Sequence, residues 1–180
     1  MIISNIETER FILRKVEYSD LEDIFNILSD ESVITNLNME LHQTKEDTKK
    51  LLDNYFEEYE KGTKYPYAII EKNTQNLIGV FLIKLDLYDE DCFEFTIYIS
   101  PKYWNQGVYT EVLPYMTKVA IENIKTGNFR GFVMEKNVAS GVVLEKVGFK
   151  LEKIFDVPGL EGKIKSYLMT REDYYKRNGK

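Results

Sequence analysis

Residues 92–115 read CFEFTIYISPKYWNQGVYTEVLPY, and the two halves of this stretch obey different periods. In the first half Phe93, Phe95, Ile97 and Ile99 share one face of a strand, while Glu94, Thr96 and Tyr98 share the other. From Val108 onward the spacing of Val112, Tyr115, Met116, Val119 and Ala120 is that of a helix with one buried stripe. A strand that enters a helix through a short turn leaves the first helical amides unpaired, with the positive end of the dipole facing the turn. Gly107 would let a ligand approach those amides and Thr110 adds a hydroxyl, so the junction suits a phosphate. The competing reading is conformational: Gly107 supplies a positive φ and nothing more. The stretch is neither a P-loop, lacking Gly-Lys-Ser/Thr, nor a dinucleotide fingerprint, lacking the other two glycines. Pro114 falls inside the helical pattern, where it costs about 3 kcal/mol in a regular interior, and predicts a kink.

Upstream, residues 11–16 alternate as a strand. Ser19 with Glu22 reads as a capping box for a helix striped by Leu21, Ile24, Phe25 and Leu28. A second box, Thr44 with Asp47, opens a longer helix carrying Leu51, Leu52, Tyr55, Phe56 and Tyr59, which Gly62 is placed to end. Strands follow at 67–71 and 77–86, joined by NTQN, with the polar LYDED before the strand at 92–100. Downstream, 129–134 is a strand. NVASGVVLEKVGF is a helix with Asn137 as N-cap and Gly148 just past its end, and strands at 149–155 and 165–170 close the chain. The order βα α βββ α β α ββ describes one α+β (mixed α/β) domain over residues 1–180, with about seven strands and about four helices.

The 180 residues carry a net charge of −6, which argues against a nucleic-acid partner and would suit a cationic one. One Cys (Cys92) and one His (His42) rule out zinc and disulfide frameworks, and no metal is expected. Cys92 reads as a small packed hydrophobe and His42 as a surface or turn residue. The N-terminus has no signal-peptide pattern, and LIGVFLI (77–83) is too short to span a membrane, so a cytoplasmic protein is expected.

YISPKYWNQGVYTEVL resembles the acetyl-CoA-binding segment of the GNAT superfamily of N-acetyltransferases, in the RimJ/RimL-type branch of ribosomal-protein N-terminal acetyltransferases. That branch shows P-x-Y-W-G-x-G-x-[AG]-T-E-A, matched here by Pro101, Tyr103, Trp104, Gly107, Thr110 and Glu111. ETERFILRKVEYSDLEDIFNILSD resembles its opening strand and helix. NVASGVVLEKVGF matches N-x-x-S-x-x-x-x-x-K-x-G-F, and GKIKSYLMTREDY resembles its closing segment. Three departures stand out: Asn105 replaces the first glycine, Tyr109 the second small residue, and Ser166 a common Asp. Asn105 and Tyr109 are expected to crowd the phosphate turn.

The resemblance implies a mixed, mostly antiparallel sheet, acetyl-CoA as cosubstrate and direct attack of an amine on the thioester. It places the pantetheine arm along Ile97, Tyr98 and Ile99, and the pyrophosphate on Trp104, Asn105, Gln106, Gly107, Val108, Tyr109 and Thr110. Asn137 and Ser140 would face the cofactor, with Ser140 as the acid for the departing thiolate. Lys136, Lys146 and Lys150 could meet the 3′-phosphate, Lys146 being the match to the motif, or could be solvated surface lysines. No carboxylate in DVPGLEGK falls in register for the branch's base, Glu161 being a few residues off, so Glu94 is the alternative. Without a clear base the acceptor should be weakly basic. An α-amine near pKa 8 is about a fifth neutral at pH 7.5, a lysine-like amine about one part in a thousand. The acceptor is read as a protein N-terminus, with a polyamine, aminoglycoside or amino-acid-like amine, or a binding module without turnover, as alternatives. Residues 30–44 and 156–164 should shape its cleft, and the protein is expected as a monomer or homodimer.

Overall fold

The computed structural model describes residues 5–35, 37, 39–86, 89–124, 127–159 and 161–179. Asn36, Asn38 and Leu160 of the expected acceptor cleft, and Leu87 and Tyr88 of LYDED, lie outside the described residues.

Eight strands form one sheet: β1 (Ile6–Glu7), β2 (Phe11–Lys15), β3 (Lys64–Glu71), β4 (Leu77–Leu85), β5 (Cys92–Ile99), β6 (Asn128–Met134), β7 (Lys150–Asp156) and β8 (Lys163–Met169). Their spatial order is β1-β2-β3-β4-β5-β6-β8-β7, and among the described residues the β5–β6 pair alone is parallel. The helices are α1 (Leu21–Leu28), α2 (Glu31–Ile34), α3 (Lys45–Lys61), α4 (Val108–Asn123), α5 (Val138–Val147) and α6 (Arg171–Arg177). β1, α2 and α6 are additions to the pattern expected from sequence.

Both faces of the sheet are covered, which explains why β4 reads as an unbroken apolar run. On one face Phe81, Phe95, Phe129 and Phe149 pack with Val112 and Met116 of α4 and Leu144 of α5. Phe95 is the hub, with ring centroids 5.3, 5.2 and 5.9 Å from Phe81, Phe129 and Phe149. On the other face Ile24, Leu28, Leu52 and Tyr55 of α1 and α3 pack on Val80 and Tyr98. Tyr98 therefore lies under these helices, on the side of β5 that it shares with Glu94. It is 2% exposed, and its hydroxyl lies 3.3 Å from that of Tyr55.

The expected box at Thr44 and Asp47 is present, and α3 ends at Gly62 with φ 74°. The first box moves back two residues, to Glu17 and Asp20: Asp20, rather than Ser19 or Glu22, accepts the Glu17 amide at 2.8 Å. Arg14 Nη1 and Nη2 hold the same carboxylate at 2.8 and 2.7 Å, so a strand residue decides where the helix begins. His42 is buried, contrary to the surface reading, with Nδ1 2.8 Å from Thr48 Oγ1. α4 runs unbroken through Pro114, whose exposed position lets water reach the carbonyl it frees on Thr110. Tyr115 is exposed and Leu113 takes its expected place in the core.

Candidate active site

β5 and β6 pair from Cys92↔Asn128 to Phe95↔Gly131 and no further. Beyond that rung β6 continues against β8, while Thr96 to Ile99 remain paired to β4 alone. The sheet thus opens into a fork, and the β5 edge facing it carries backbone groups without a partner strand. Trp104 Nε1 donates to one of them, the Ile99 carbonyl, at 2.9 Å. Gly79 of β4 is what lets β5 lie where it does: a Cβ there would stand 2.4 Å from the Tyr98 carbonyl.

The open end of the fork meets the start of α4. Gly107 is the N-cap residue with φ 73°, and the first intrahelical bond runs from the Glu111 amide to the Gly107 carbonyl at 3.0 Å. The amides of Val108, Tyr109 and Thr110 precede that bond and are left to a ligand or water. Asn105 also has positive φ, 59°. Asparagine tolerates this region better than other side-chain-bearing residues, so it meets the same backbone demand as the glycine it replaces. The conformation of the turn accounts for Asn105, and the expected crowding does not arise from its backbone.

A cavity of about 420 Å³ follows the fork and the turn. Ile97, Tyr98 and Ile99 wall one side, Trp104, Asn105 and Gly107 to Thr110 the end, and Lys136, Asn137 and Ser140 the other side. A second lobe of about 150 Å³ adjoins it, sharing Leu37, Ile97, Tyr109, Asn137 and Ser140. Val33, Thr35 and Leu37, from the segment leading into α3, close these cavities as expected.

Asn137 Oδ1 accepts the Ser140 amide at 3.2 Å, which caps α5 and fixes Ser140 on its first turn. The Ser140 hydroxyl has no hydrogen bond among the described residues. Tyr109 lies between the lobes, and burial pushes its phenol well above the usual range. Glu94 opens onto the second lobe, where Lys84 Nζ stands 3.0 Å from Oε2 and Thr96 Oγ1 donates to Oε1 at 2.9 Å.

Two expected residues do not line the cavities. Gln106 folds its amide onto the Lys102 carbonyl at 2.6 Å. Lys146 lies nine residues past Asn137, about 13 Å along the helix axis, and is exposed at the far end of α5. Lys136, beside the N-cap, takes its place, while Lys150 is held by Asp173 at 2.5 Å. Cys92 is fully buried, with its thiol pushed up to about 12 by burial, so it offers no thiolate nucleophile.

Sequence reading missed Arg10. Glu111 of the turn motif receives Thr8 Oγ1 at 2.6 Å, and the Arg10 amide at 2.8 Å, on one oxygen, and Arg10 Nε at 2.6 Å on the other. Burial pushes this carboxyl up, but the hydrogen bonds outweigh it and hold it below the usual carboxylate range. The signal was present in ETER, but the partnership spans 101 residues of chain.

A mixed sheet forked between its parallel strands, with a helix N-terminus aimed at the fork, is the arrangement of a coenzyme-A-dependent acyltransferase. The chain belongs to the GNAT family: residues 10–150 match the family described as Acetyltransferase (GNAT) domain, of the RimJ/RimL type. It is an N-acetyltransferase that uses acetyl-CoA. It is 24% identical over 149 residues to the uncharacterized N-acetyltransferase YoaA of Bacillus subtilis, covering 83% of this chain and 84% of the relative. Ribosomal-protein-S5-alanine acetyltransferase from Vibrio fischeri superposes with a TM-score of 0.81 at 15% identity, over 94% of this chain and 98% of that one. Spermidine N-acetyltransferase from Vibrio cholerae, solved with CoA and spermine, gives 0.78 at 18% identity, over 92% and 98%. No helix among the described residues is long and apolar enough to cross a membrane.

Proposed function

We propose that the chain acetylates an α-amine, with a protein or peptide N-terminus as the acceptor. One observation carries this reading. Among the described cavity-lining residues Glu94 is the single acid, and Lys84 and Thr96 already engage it. A polycation needs opposing carboxylates, whereas a single amine flanked by peptide needs an apolar slot and neutral polar groups. Leu37, Phe132, Met134 and Ile164 supply the slot, and Thr35, Thr96 and Asn137 the polar groups.

The chain's own residues divide the work as follows. The free β5 edge at Ile97, Tyr98 and Ile99 holds an extended pantetheine arm by backbone hydrogen bonds. Trp104, Asn105 and Gly107 wall the diphosphate, and the amides of Val108, Tyr109 and Thr110 donate to it. Lys136 adds positive charge on the opposite wall. Bound acetyl-CoA supplies a thioester whose carbonyl carbon accepts the amine. Ser140 Oγ takes the proton shed by the amine and passes one to the departing sulfur, so the protons balance without a separate base. Asn137 fixes Ser140 for that task. Glu94 enters as the partner of Lys84 and shapes the acceptor lobe.

A polyamine acceptor is the second reading, supported by the net charge of −6 and by the spermine complex of the Vibrio cholerae enzyme. Thiol release from acetyl-CoA, measured in parallel with N-terminal peptides, spermidine and an aminoglycoside at pH 7.5, decides between them. Peptide turnover about tenfold above spermidine or more is expected, and the reverse order would assign the polyamine.

A further inference from the structure

Arg10 follows the β1 strand and has no part in the motif that defines the phosphate turn, yet its guanidinium is built against that turn. Nε is tied to Glu111 Oε2 at 2.6 Å and Nη1 donates to the Gln106 carbonyl at 3.0 Å. Its Cζ lies 4.8 Å over the Phe11 ring, which braces the plane from below. A Cβ built on Gly107 would have Arg10 Nη2 as its nearest neighbour, at 3.7 Å. Nη2 itself makes no hydrogen bond among the described residues, and the side chain is 43% exposed. The guanidinium is thus held in place through two of its nitrogens, with the third free beside the residue where a ligand must come closest.

Charge bookkeeping points the same way. Glu111 in the first turn of α4 complements the helix dipole but repels an anion approaching the same amides. The turn from Tyr103 to Thr110 contains no Lys or Arg to offset it. Arg10 neutralises Glu111 and still has both N–H groups of Nη2 to give, in the planar fork that suits phosphate oxygens.

We propose that Arg10 is a phosphate ligand for coenzyme A, contacting it through Nη2 where the coenzyme passes over Gly107. This rests on the acetyl-CoA reading of the cavity. The phosphate concerned is the pyrophosphate or the 3′-phosphate, and the ligand series below separates them.

The test is calorimetric titration of the full chain with CoA and with 3′-dephospho-CoA, at low and high salt, for wild type, Arg10→Gln and Arg10→Lys. The Gln variant should weaken CoA binding about tenfold or more, with Lys in between, since a charge-assisted bond is lost and then partly restored. Its affinity should also fall less steeply with salt than that of wild type. An equal penalty with both ligands assigns the pyrophosphate. A penalty seen with CoA alone assigns the 3′-phosphate, and either result supports the proposal. CoA affinity within about twofold of wild type in Arg10→Gln, or a loss with undiminished salt dependence, would overturn it and leave Arg10 as a brace for Glu111. Failure of the wild type to bind CoA would overturn the coenzyme reading, and this proposal with it.

Discussion

Lys84 Nζ and Glu94 Oε2 stand 3.0 Å apart on the β4–β5 rung that pairs their two residues, with Glu94 lining the second lobe. Both are substantially covered, at 31% and 17% exposure, and Thr96 holds the second carboxylate oxygen. A carboxylate engaged on both oxygens is poorly placed to take a proton from an amine. Glu94→Gln should therefore change kcat by less than about threefold and leave the pH–rate profile its shape. Loss of the acid limb of that profile would make Glu94 the base after all.

Ser140 offers a different signature. Removing a proton-relay hydroxyl lowers kcat by about a hundredfold where the relay is used, and barely alters cofactor binding. Ser140→Ala should show this split, with KM for acetyl-CoA unchanged. Asn137→Ala should cost about 1 kcal/mol of stability through the lost cap, a fall in Tm of about 3 °C for a domain of this size, together with a smaller fall in kcat.

The turn residues should separate backbone demand from ligand approach. Asn105→Gly keeps the left-handed conformation available, so CoA affinity should stay within about twofold, with stability lowered by less than about 1 kcal/mol through the looser unfolded chain. Gly107→Val has room in the free protein, its nearest neighbour being Arg10 Nη2 at 3.7 Å. The side chain must adopt φ 73° and would occupy the coenzyme's path, so the variant should fold with about 1–2 kcal/mol of strain and lose CoA binding. Unchanged binding in Gly107→Val would return the residue to a purely conformational role.

His42 gives the protein a pH dependence in a window set by its burial, which lowers its pKa below the ordinary value. As pH falls through about 6.5 the unfolded chain takes up a proton that the folded chain resists, so stability falls with pH. Wild type should lose more Tm between pH 8 and pH 5.5 than His42→Asn, measured side by side. Equal losses would show that the imidazole is indifferent to folding.

Local pattern made the central elements readable. The alternation of β5, the unbroken run of β4 and the caps at Thr44 and Asn137 each depend on neighbours a few residues away. The misreadings share the opposite cause. Tyr98 shares a face with Glu94 and Thr96 and yet is buried under α1 and α3, and Asp20 becomes the box residue because Arg14 of β2 grips it. β1 and α2 have two and four residues, too few to show a period. α6, REDYYKR, has no buried residue to reveal one. Of the candidate site, the strand, the turn and the α5 cap were legible as motifs. Arg10 was not, because its value lies in what the folded chain brings beside it, and Lys136 was one of three candidate lysines until the fold placed it on the cavity wall.

The fork opens one residue past the most heavily braced point of the sheet. Phe95 occupies the last shared rung and is wedged among Phe81, Phe129 and Phe149. Its partner Gly131 has no space to spare, since a Cβ there would press on Leu144 of α5 at 3.0 Å. The split is therefore anchored like the crotch of a tuning fork, each prong still paired on its outer side, β5 with β4 and β6 with β8. Entry of the coenzyme need not pry the strands apart, since no ladder hydrogen bonds join β5 to β6 beyond that rung. Differences in acceptor choice among proteins built this way are then free to arise in the flanking segments, such as the one carrying Val33 and Leu37, without disturbing the pivot.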